Sequence, residues 1–598
     1  MITNNVNTFM RGIGEEAQLV DQLVAIYTSM KSARNEWESE CDEVMKYVFA
    51  TDTRRTVQPI ADFKNSTTIP KLAQVRNNII TSYDEHLFPN TDWVQWQAED
   101  SHSVSEEKVS LIKAYTKTKA EDSDLEAVMN QLVVDWTDRG IACCETYHVN
   151  VVGKDSMGNP VQQYSGPRCQ RLDPYDVVYD VTAPTLEAAT KVVRSMHTLG
   201  SLKKMSIENP EMLSPEQFML IKKRRQEQRS YVVDVNGKNT RLTAQLVRAG
   251  HGDTINTVLS NQFEILTFYG DFYDEEKDEL YSNHRIVVLD RAIILEKKPV
   301  ESLSGKHAVH IAVWETREGT LAPMGPLARI IGLQYKLDKL ENLRADKFDL
   351  LANPPLVMVG DVTITGVKGT PNCVYHAEEG GDVREMVESA IALQADTQIQ
   401  FTLALMDELS GNPKESIGQR TPGEKTKFEV QLLDAGQNKT FRNKVKKFEK
   451  EILSPVLQDY LEQGRRNLDG TDLIRVLDDK LGAIDFQDVT RDDIAGRGKI
   501  RARGSSVFAQ KANALQNLVT IVGSPLGAVM APHTSGIRLT KAVEELADLK
   551  GYGIYLQGIG IQEAQQLQRL TAKSQDKTDE VNLNQEDVTN DAETGELE

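Results

Sequence analysis

The sequence predicts a mainly helical α+β chain built from several regions, and three observations predict it. The chain has 598 residues, more than one hydrophobic core can hold, so about two to four regions are expected. Hydrophobic residues make up 40% and charged residues 26%, the balance of a water-soluble globular protein rather than of a disordered or membrane one. Apolar residues recur at helical three-to-four spacing over most of the length, while β-branched and aromatic runs are confined to two stretches.

In chain order, Glu36 to Val48 and Leu72 to Leu87 carry a helical stripe, and Val109 to Leu132 carries a looser one. Pro70 suits a helix start, where its missing amide hydrogen would be unused anyway. From Ile141 to about Asp180 the runs YHVNVV and VVYDV read as short strands separated by Gly153, Gly158 and Asp173-Pro174-Tyr175. Pro184 to about Glu227 reads as helical again, and its basic end, Lys222 to Arg225, reads as a solvated helix terminus. Phe263 to Val313 holds the strongest β signal, in FEILTFYGDFY, HRIVVLD, AIILEKK and HAVHIAVWE, and is expected to form one small antiparallel sheet.

Gly325-Pro326 opens a long helix that runs to Leu351, with apolar residues at Leu327, Ile330, Ile331, Leu337, Leu340 and Leu343. Asn353, Pro354 and Pro355 must stop it, since proline lacks the amide hydrogen and disfavours helix in the residue before it. A short β module follows and ends at Gly380 and Gly381, and Asp382 is expected to cap a second long helix reaching Leu409. SGNPKESIGQR, from Ser410 to Arg420, has no periodicity and reads as a loop. Thr421 and Glu424 then have the spacing of a capping box at the head of the longest helix, which is expected to reach Gly464 with kinks at Gly436 and Pro455. Phe441, Val445, Phe448 and Ile452 lie on one of its faces. Mixed short structure is expected from Thr471 to Gly504, then helices, then an acidic tail too poor in apolar residues to fold.

Several function classes are excluded by what the residues cannot do. No apolar run nears the ~20 residues needed to span a bilayer, and the first residues lack a secretory pattern, so no membrane partner is expected and the chain is expected to be made and kept in the cytoplasm. Five cysteines, Cys41, Cys143, Cys144, Cys169 and Cys373, have neither the pairing nor the spacing of a disulfide framework or zinc site. A net charge of −20 argues against a surface that grips nucleic acid everywhere, although it suits a conduit past which DNA slides. The string GRGKI, Gly496 to Ile500, lacks the upstream glycine and the hydroxyl of a phosphate-binding loop and reads as a turn before a strand. Acidic pairs such as Asp478-Asp479 and Asp492-Asp493 are common among 89 acids and mark no metal site by themselves. No catalytic residue, metal or cofactor is assigned, and the chain is not expected to be an enzyme.

Two long helices with thin apolar stripes, separated by a module too small for a core of its own, can bury those stripes only against each other or against further copies. Self-association follows. The order long helix, Asn-Pro-Pro, β module, Gly-Gly, long helix, polar loop, Arg-Thr-x-Gly-Glu, very long helix resembles the core of tailed-bacteriophage portal proteins, especially those of short-tailed phages. The runs HLFPNTD with WVQWQAED, RLDPYDVVYDVTAPTLEAATKVVRSMHTLGSLKKM and IRARGSSVFAQKANAL are similar to recurring portal segments in the same order, and the resemblance covers about Glu36 to Leu515.

The resemblance implies a head-to-tail connector, a closed ring of twelve identical subunits at one capsid vertex, through which the genome is packed, retained and ejected. It implies a wing region over 1–324, a first stem helix over 325–351, a small α/β clip over 352–381 and a second stem helix over 382–409. A channel loop over 410–420, a long wing helix over 421–464, a C-terminal wing segment over 465–504, a helical crown over 505–572 and a disordered acidic tail over 573–598 complete it. Implied partners are non-specific double-stranded DNA, the terminase motor, head-tail adaptor or tail proteins, and the capsid protein; the implied location is the virion. DNA contact is expected from Asn412, Lys414, Gln419 and Arg420 in the loop, with Lys439, Arg442, Lys444, Lys446 and Lys447 as further cations on the long helix. The alternatives are a metal-dependent phage nuclease with scattered carboxylate ligands, or another internal virion or adaptor protein.

Overall fold

In the computed structural model, the chain is an α+β protein, and its elements follow from where apolar residues can be covered. The structure describes residues 16–49, 67–87, 94–98, 106–154 and 160–227 apart from 209 and 211. It also describes 262–302 apart from 276, 301, 307–352, 356–365, 374–385 apart from 378, 392–410 and 443–468. The rest comprises 470–477, 484–502 apart from 497, and a few helical positions between 515 and 543. The chain divides into two compact units, 1–470 with 491–505, and 471–490 with 506–598. In the second, strands Thr471–Leu477 and Ile484–Thr490 pair as an antiparallel hairpin.

The first unit begins with α1 (Ala17–Ala33) and α2 (Asn35–Val48), which turn at Arg34. The Arg34 guanidinium explains that corner: it bonds the Pro174 and Val177 carbonyls and lies 4.5 Å from the Trp37 ring centre. After α3 (Lys71–Leu87) and β1 (Val94–Ala98) the loose stripe at 109–132 resolves into two helices, α4 (Glu106–Asp122) and α5 (Leu125–Arg139). Asp124, with φ 55°, breaks them apart, a left-handed conformation that aspartate tolerates better than most residues. Gly140, with φ 75°, ends α5 where a Cβ would collide with the Gly325 backbone. That close crossing fixes the place from which the first long helix departs.

Two sheets follow. The first has the order β3-β2-β9, with β2 at Ile141–Lys154, β3 at Pro160–Leu172 and β9 at Val309–Val313. The second has the order β4-β5-β6-β7-β8: Val177–Tyr179, Lys191–Thr198, Gln262–Asp274, Glu279–Leu289 and Ile293–Pro299. Two expectations are corrected here. The segment 191–198, read as helical, is a strand held between β4 and β6, because a partner on each side satisfies its backbone and its Val192 and Val193 are buried on opposite faces. Val309–Val313, expected in the same sheet as 263–299, instead pairs with β2, register Ile141 to Val313.

The second sheet is covered on both faces, which is why its strands read as continuous apolar runs. Leu266, Phe268, Ile286 and Val288 pack under Leu19, Val20 and Leu23 of α1. Phe263, Ile265, Val287 and Leu289 pack under two further helices, α6 (Leu199–Glu208) and α7 (Pro215–Glu227). Cys143 and Cys144 point to opposite sides of β2, and both sides are buried. The four described cysteines are free thiols; burial pushes the Cys41 and Cys143 thiols up, and a hydrogen bond with Cys169 followed by burial does the same to Cys144.

The first long helix, α8, spans Pro326–Ala352. Beyond it β12 (Leu356–Val359) pairs with β15 (Asp382–Glu385), and β13 (Val362–Thr365) pairs with β14 (Val374–Ala377) between them. The second long helix, α9, is Ala392–Leu409 and does not start at Asp382. Asp382 is instead the first residue of a strand, and Gly380 and Gly381 lie inside the module rather than at its edge. Their physical reason is a close approach: a Cβ on Gly360 would press on Gly380 and Gly381, and Gly360 and Gly380 both have positive φ.

Helical residues 443–448 lead into a π turn, Glu449–Leu453, and then α10, Ser454–Asn467. The kink expected at Pro455 is this π turn, placed just before the residue that cannot donate an amide hydrogen. The Tyr115 ring fills the space where Gly464 would carry a side chain, so α10 lies close against α4. Finally β18, Gly498–Ala502, pairs with β1, and a Cβ on Gly498 would strike the buried Trp96 ring. GRGKI is therefore the glycine-lined entry to a strand that accommodates an indole.

Candidate functional site

The pair of long helices and the module between them form the candidate site. On α9 the buried positions Ile399, Thr402 and Met406 make a narrow stripe, and α8 buries Leu327, Ile330 and Leu337. Ion pairs frame this seam: Arg344 contacts Asp396 at 3.0 Å and Glu341 at 2.6 Å, and Lys71 of α3 contacts Asp407 at 2.8 Å. Each is part-exposed or one-sided, so each is worth at most about 1 kcal/mol and acts mainly on register.

The outer side of the same elements is mixed, with Lys336, Lys339, Gln400 and Glu408 exposed, and among them stand large apolar side chains without a cover. Phe348 on α8 is 56% exposed, Phe401 on α9 is 61% exposed, and Val359 in the module is 55% exposed. No described residue of the module is buried. A four-stranded piece with no buried side chain among its described residues cannot hold its shape by its own hydrophobic effect.

Sequence reasoning missed the polar centre of this region. Gln334, Asp338 and Asn342 are buried on α8 at four-residue spacing and bond the backbone of residues 67–72. The signal was Gln334, a polar residue at a core position of the stripe between Ile331 and Leu337, with Asp338 and Asn342 following at four-residue spacing.

The cations of the long helix separate into two sets. Lys444 donates to the Trp314 carbonyl at 2.7 Å, lies 5.0 Å from that residue's ring centre and is 3.7 Å from Glu315. Burial lowers its pKa, partly offset by Glu315. Lys447 reaches the same carbonyl at 3.5 Å and Glu451 at 3.9 Å. Both make contacts within the chain, because an indole and a strand-end carbonyl lie on that side of the helix. Lys446 and Lys450, one turn apart, are exposed. Asn353, Pro354, Pro355, Asn412, Lys414, Gln419, Arg420, Lys439 and Arg442 lie outside the described residues, as do nearly all of 505–572 and the whole of 573–598.

Possible chemistry elsewhere is limited by geometry. The His310 Nε2 atom lies 2.7 Å from Asp459 Oδ2, and the Thr146 hydroxyl donates to that same oxygen, so the hydroxyl faces the carboxylate rather than the imidazole. His197 lies 3.0 Å from Ser195 and 3.0 Å from Ser201, so a hydroxyl rather than a carboxylate occupies each ring nitrogen. Among the described residues no group of three or more His, Cys, Asp or Glu side chains could hold a metal ion, and no helix is long and apolar enough to cross a membrane. No protein-family model matches the chain, and no curated protein matches it significantly.

Proposed function

We propose that this chain is a subunit of a ring-shaped DNA channel of the phage portal type, which docks a packaging motor and later tail or adaptor proteins at one vertex of the virion. The observation that carries this reading is the coreless module between two long helices whose outward aromatics, Phe348 and Phe401, have no cover in the single chain. Covering them by identical neighbours repeats one contact from copy to copy, and a ring is the form it takes when the rotation closes. The order of elements adds support: α8, module, α9, then helical residues from 443 onward. In a ring each cation occurs once per subunit, so one exposed lysine becomes a belt of charge that meets phosphates without reading bases.

Two outcomes are expected. The purified chain of 66.9 kDa assembles into a particle of about 0.8 MDa, the mass of twelve copies, measured by mass photometry. A population of monomers or dimers alone refutes the ring. Lys414→Glu with Arg420→Glu leaves that mass unchanged and shortens the DNA packaged or retained, measured by gel length of the encapsidated DNA. Full-length packaging by the double variant removes the loop from the DNA path.

A further inference from the structure

Residues 67–72 run antiparallel to α8 as a strap whose backbone is read by side chains of the helix. The Thr67 amide donates to Asn342 Oδ1 at 2.7 Å, the Ile69 amide to Asp338 Oδ1 at 3.1 Å and the Leu72 amide to Gln334 Oε1 at 3.3 Å. Gln334 Nε2 returns a bond to the Ile69 carbonyl at 2.6 Å and a second to Asp338 Oδ1 at 2.8 Å. The match is geometric over the extended part: the two residues from Thr67 to Ile69 advance about 6.7 Å and four helical residues about 6 Å, while the third rung, Leu72, comes three residues on in the first turn of α3.

Asp338 is the centre of this ladder and is 1% exposed, with Oδ2 buried and without a hydrogen-bond partner. We propose that the strap is a proton-controlled latch on the first long helix, closed when Asp338 is neutral and slackened when it is ionised. A neutral carboxyl keeps Oδ1 as the acceptor of both bonds and carries its proton on Oδ2. An ionised one tightens the Oδ1 bonds but also puts charge on the buried Oδ2, which accepts none, and opening the strap to water relieves that cost.

Among the described residues no cation acts on it. From α2 it faces Tyr47, whose pKa Asp338 and Glu43 both raise after burial has done so, and Glu43 itself accepts the Tyr335 hydroxyl. From the head of α3, Lys71 is bound to Asp407 of α9 and to Gln74. On α8 itself Arg344 is held by Glu341 and Asp396. Burial accordingly raises the Asp338 carboxyl to about 6, against the opposing bonds from Ile69, Gln334 and Thr68. Its latched value lies above the ordinary 3.8, so the latch's contribution is complete below about 3.8 and is lost as pH rises through about 6.

Amide hydrogen exchange by mass spectrometry on the assembled full-length chain tests this at pH 5 and pH 8, corrected for intrinsic exchange. Expected is at least about a tenfold loss of protection over 67–72 at pH 8, with no matching change in the Gln262–Asp274 strand. Asp338→Asn, which keeps the Oδ1 acceptor and cannot ionise, is expected to give the same protection at both pH values. Asn342→Ala, which removes one rung and no charge, is expected to lower protection at both while keeping the pH dependence. Strap protection that ignores pH in the wild type overturns the latch. So does an unchanged pH response in Asp338→Asn, or, if that variant does not fold, a response that Asn342→Ala abolishes.

Discussion

Glu264→Ala is expected to lower the unfolding free energy of the sheet-bearing unit by about 3–5 kcal/mol, the loss typical when one partner of a buried ion pair is removed. Glu264 is 0% exposed in the middle strand of the five-stranded sheet. Its two oxygens face Arg291 at 2.6 Å and Arg194 at 2.8 Å, and Arg194 is itself buried. The same residue anchors the β7–β8 turn, where Asp290 and Arg291 take φ values of 47° and 54° and the Asp290 amide donates to the Glu264 carbonyl at 2.8 Å. Alanine leaves two guanidinium groups short of a counter-charge, one in a site that water does not reach. Urea unfolding followed by tryptophan fluorescence measures the loss. A midpoint within about 0.5 kcal/mol of wild type would show the network to be neutral in sum.

Glu449→Gln is expected to act in the opposite direction and only above acid pH. Glu449 opens the π turn, is buried, and has one oxygen without a partner. Burial raises its carboxyl to about 7, against the opposing pull of Lys446. Because the folded value exceeds the ordinary 4.5, this group supports the fold fully below about 4.5 and loses that contribution as pH rises through about 7. At pH 8 the wild type therefore carries a buried charge that glutamine lacks, a difference on the order of 3 kcal/mol. Thermal unfolding at pH 8 is expected to be several degrees higher in the variant, with the two curves converging near pH 4.5. Equal stability at pH 8 would mean that the π turn opens enough to hydrate the carboxylate.

The fit between sequence and structure differs by element for physical reasons. The helix read from 327 to 351 is α8 at Pro326–Ala352, since its stripe, its opening proline and its breakers all lie within the segment itself. Strand 191–198 was missed because a sheet strand is made by its neighbours: Lys191–Thr198 owes its conformation to β4 and β6, and β6 lies far along the chain. The start of α9 was misplaced for a similar reason. Asp382 has the chemistry of a helix cap, but pairing of Asp382–Glu385 with Leu356–Val359 takes it into a strand.

Of the candidate site, the sequence by itself determined the two long helices, the small module between them and the surplus of apolar surface, because periodicity and breakers are local properties. Only the tertiary structure decided which polar and charged groups are used and how. Lys444 and Lys446 are two residues apart and chemically identical, yet one is bound to Trp314 and the other is exposed. Asp338 looks like any helix-surface acid until Ile69, some 269 positions away, is laid against it. Burial and partnership set the protonation and reach of a side chain, and both are fixed by residues distant in sequence, which no local pattern can encode.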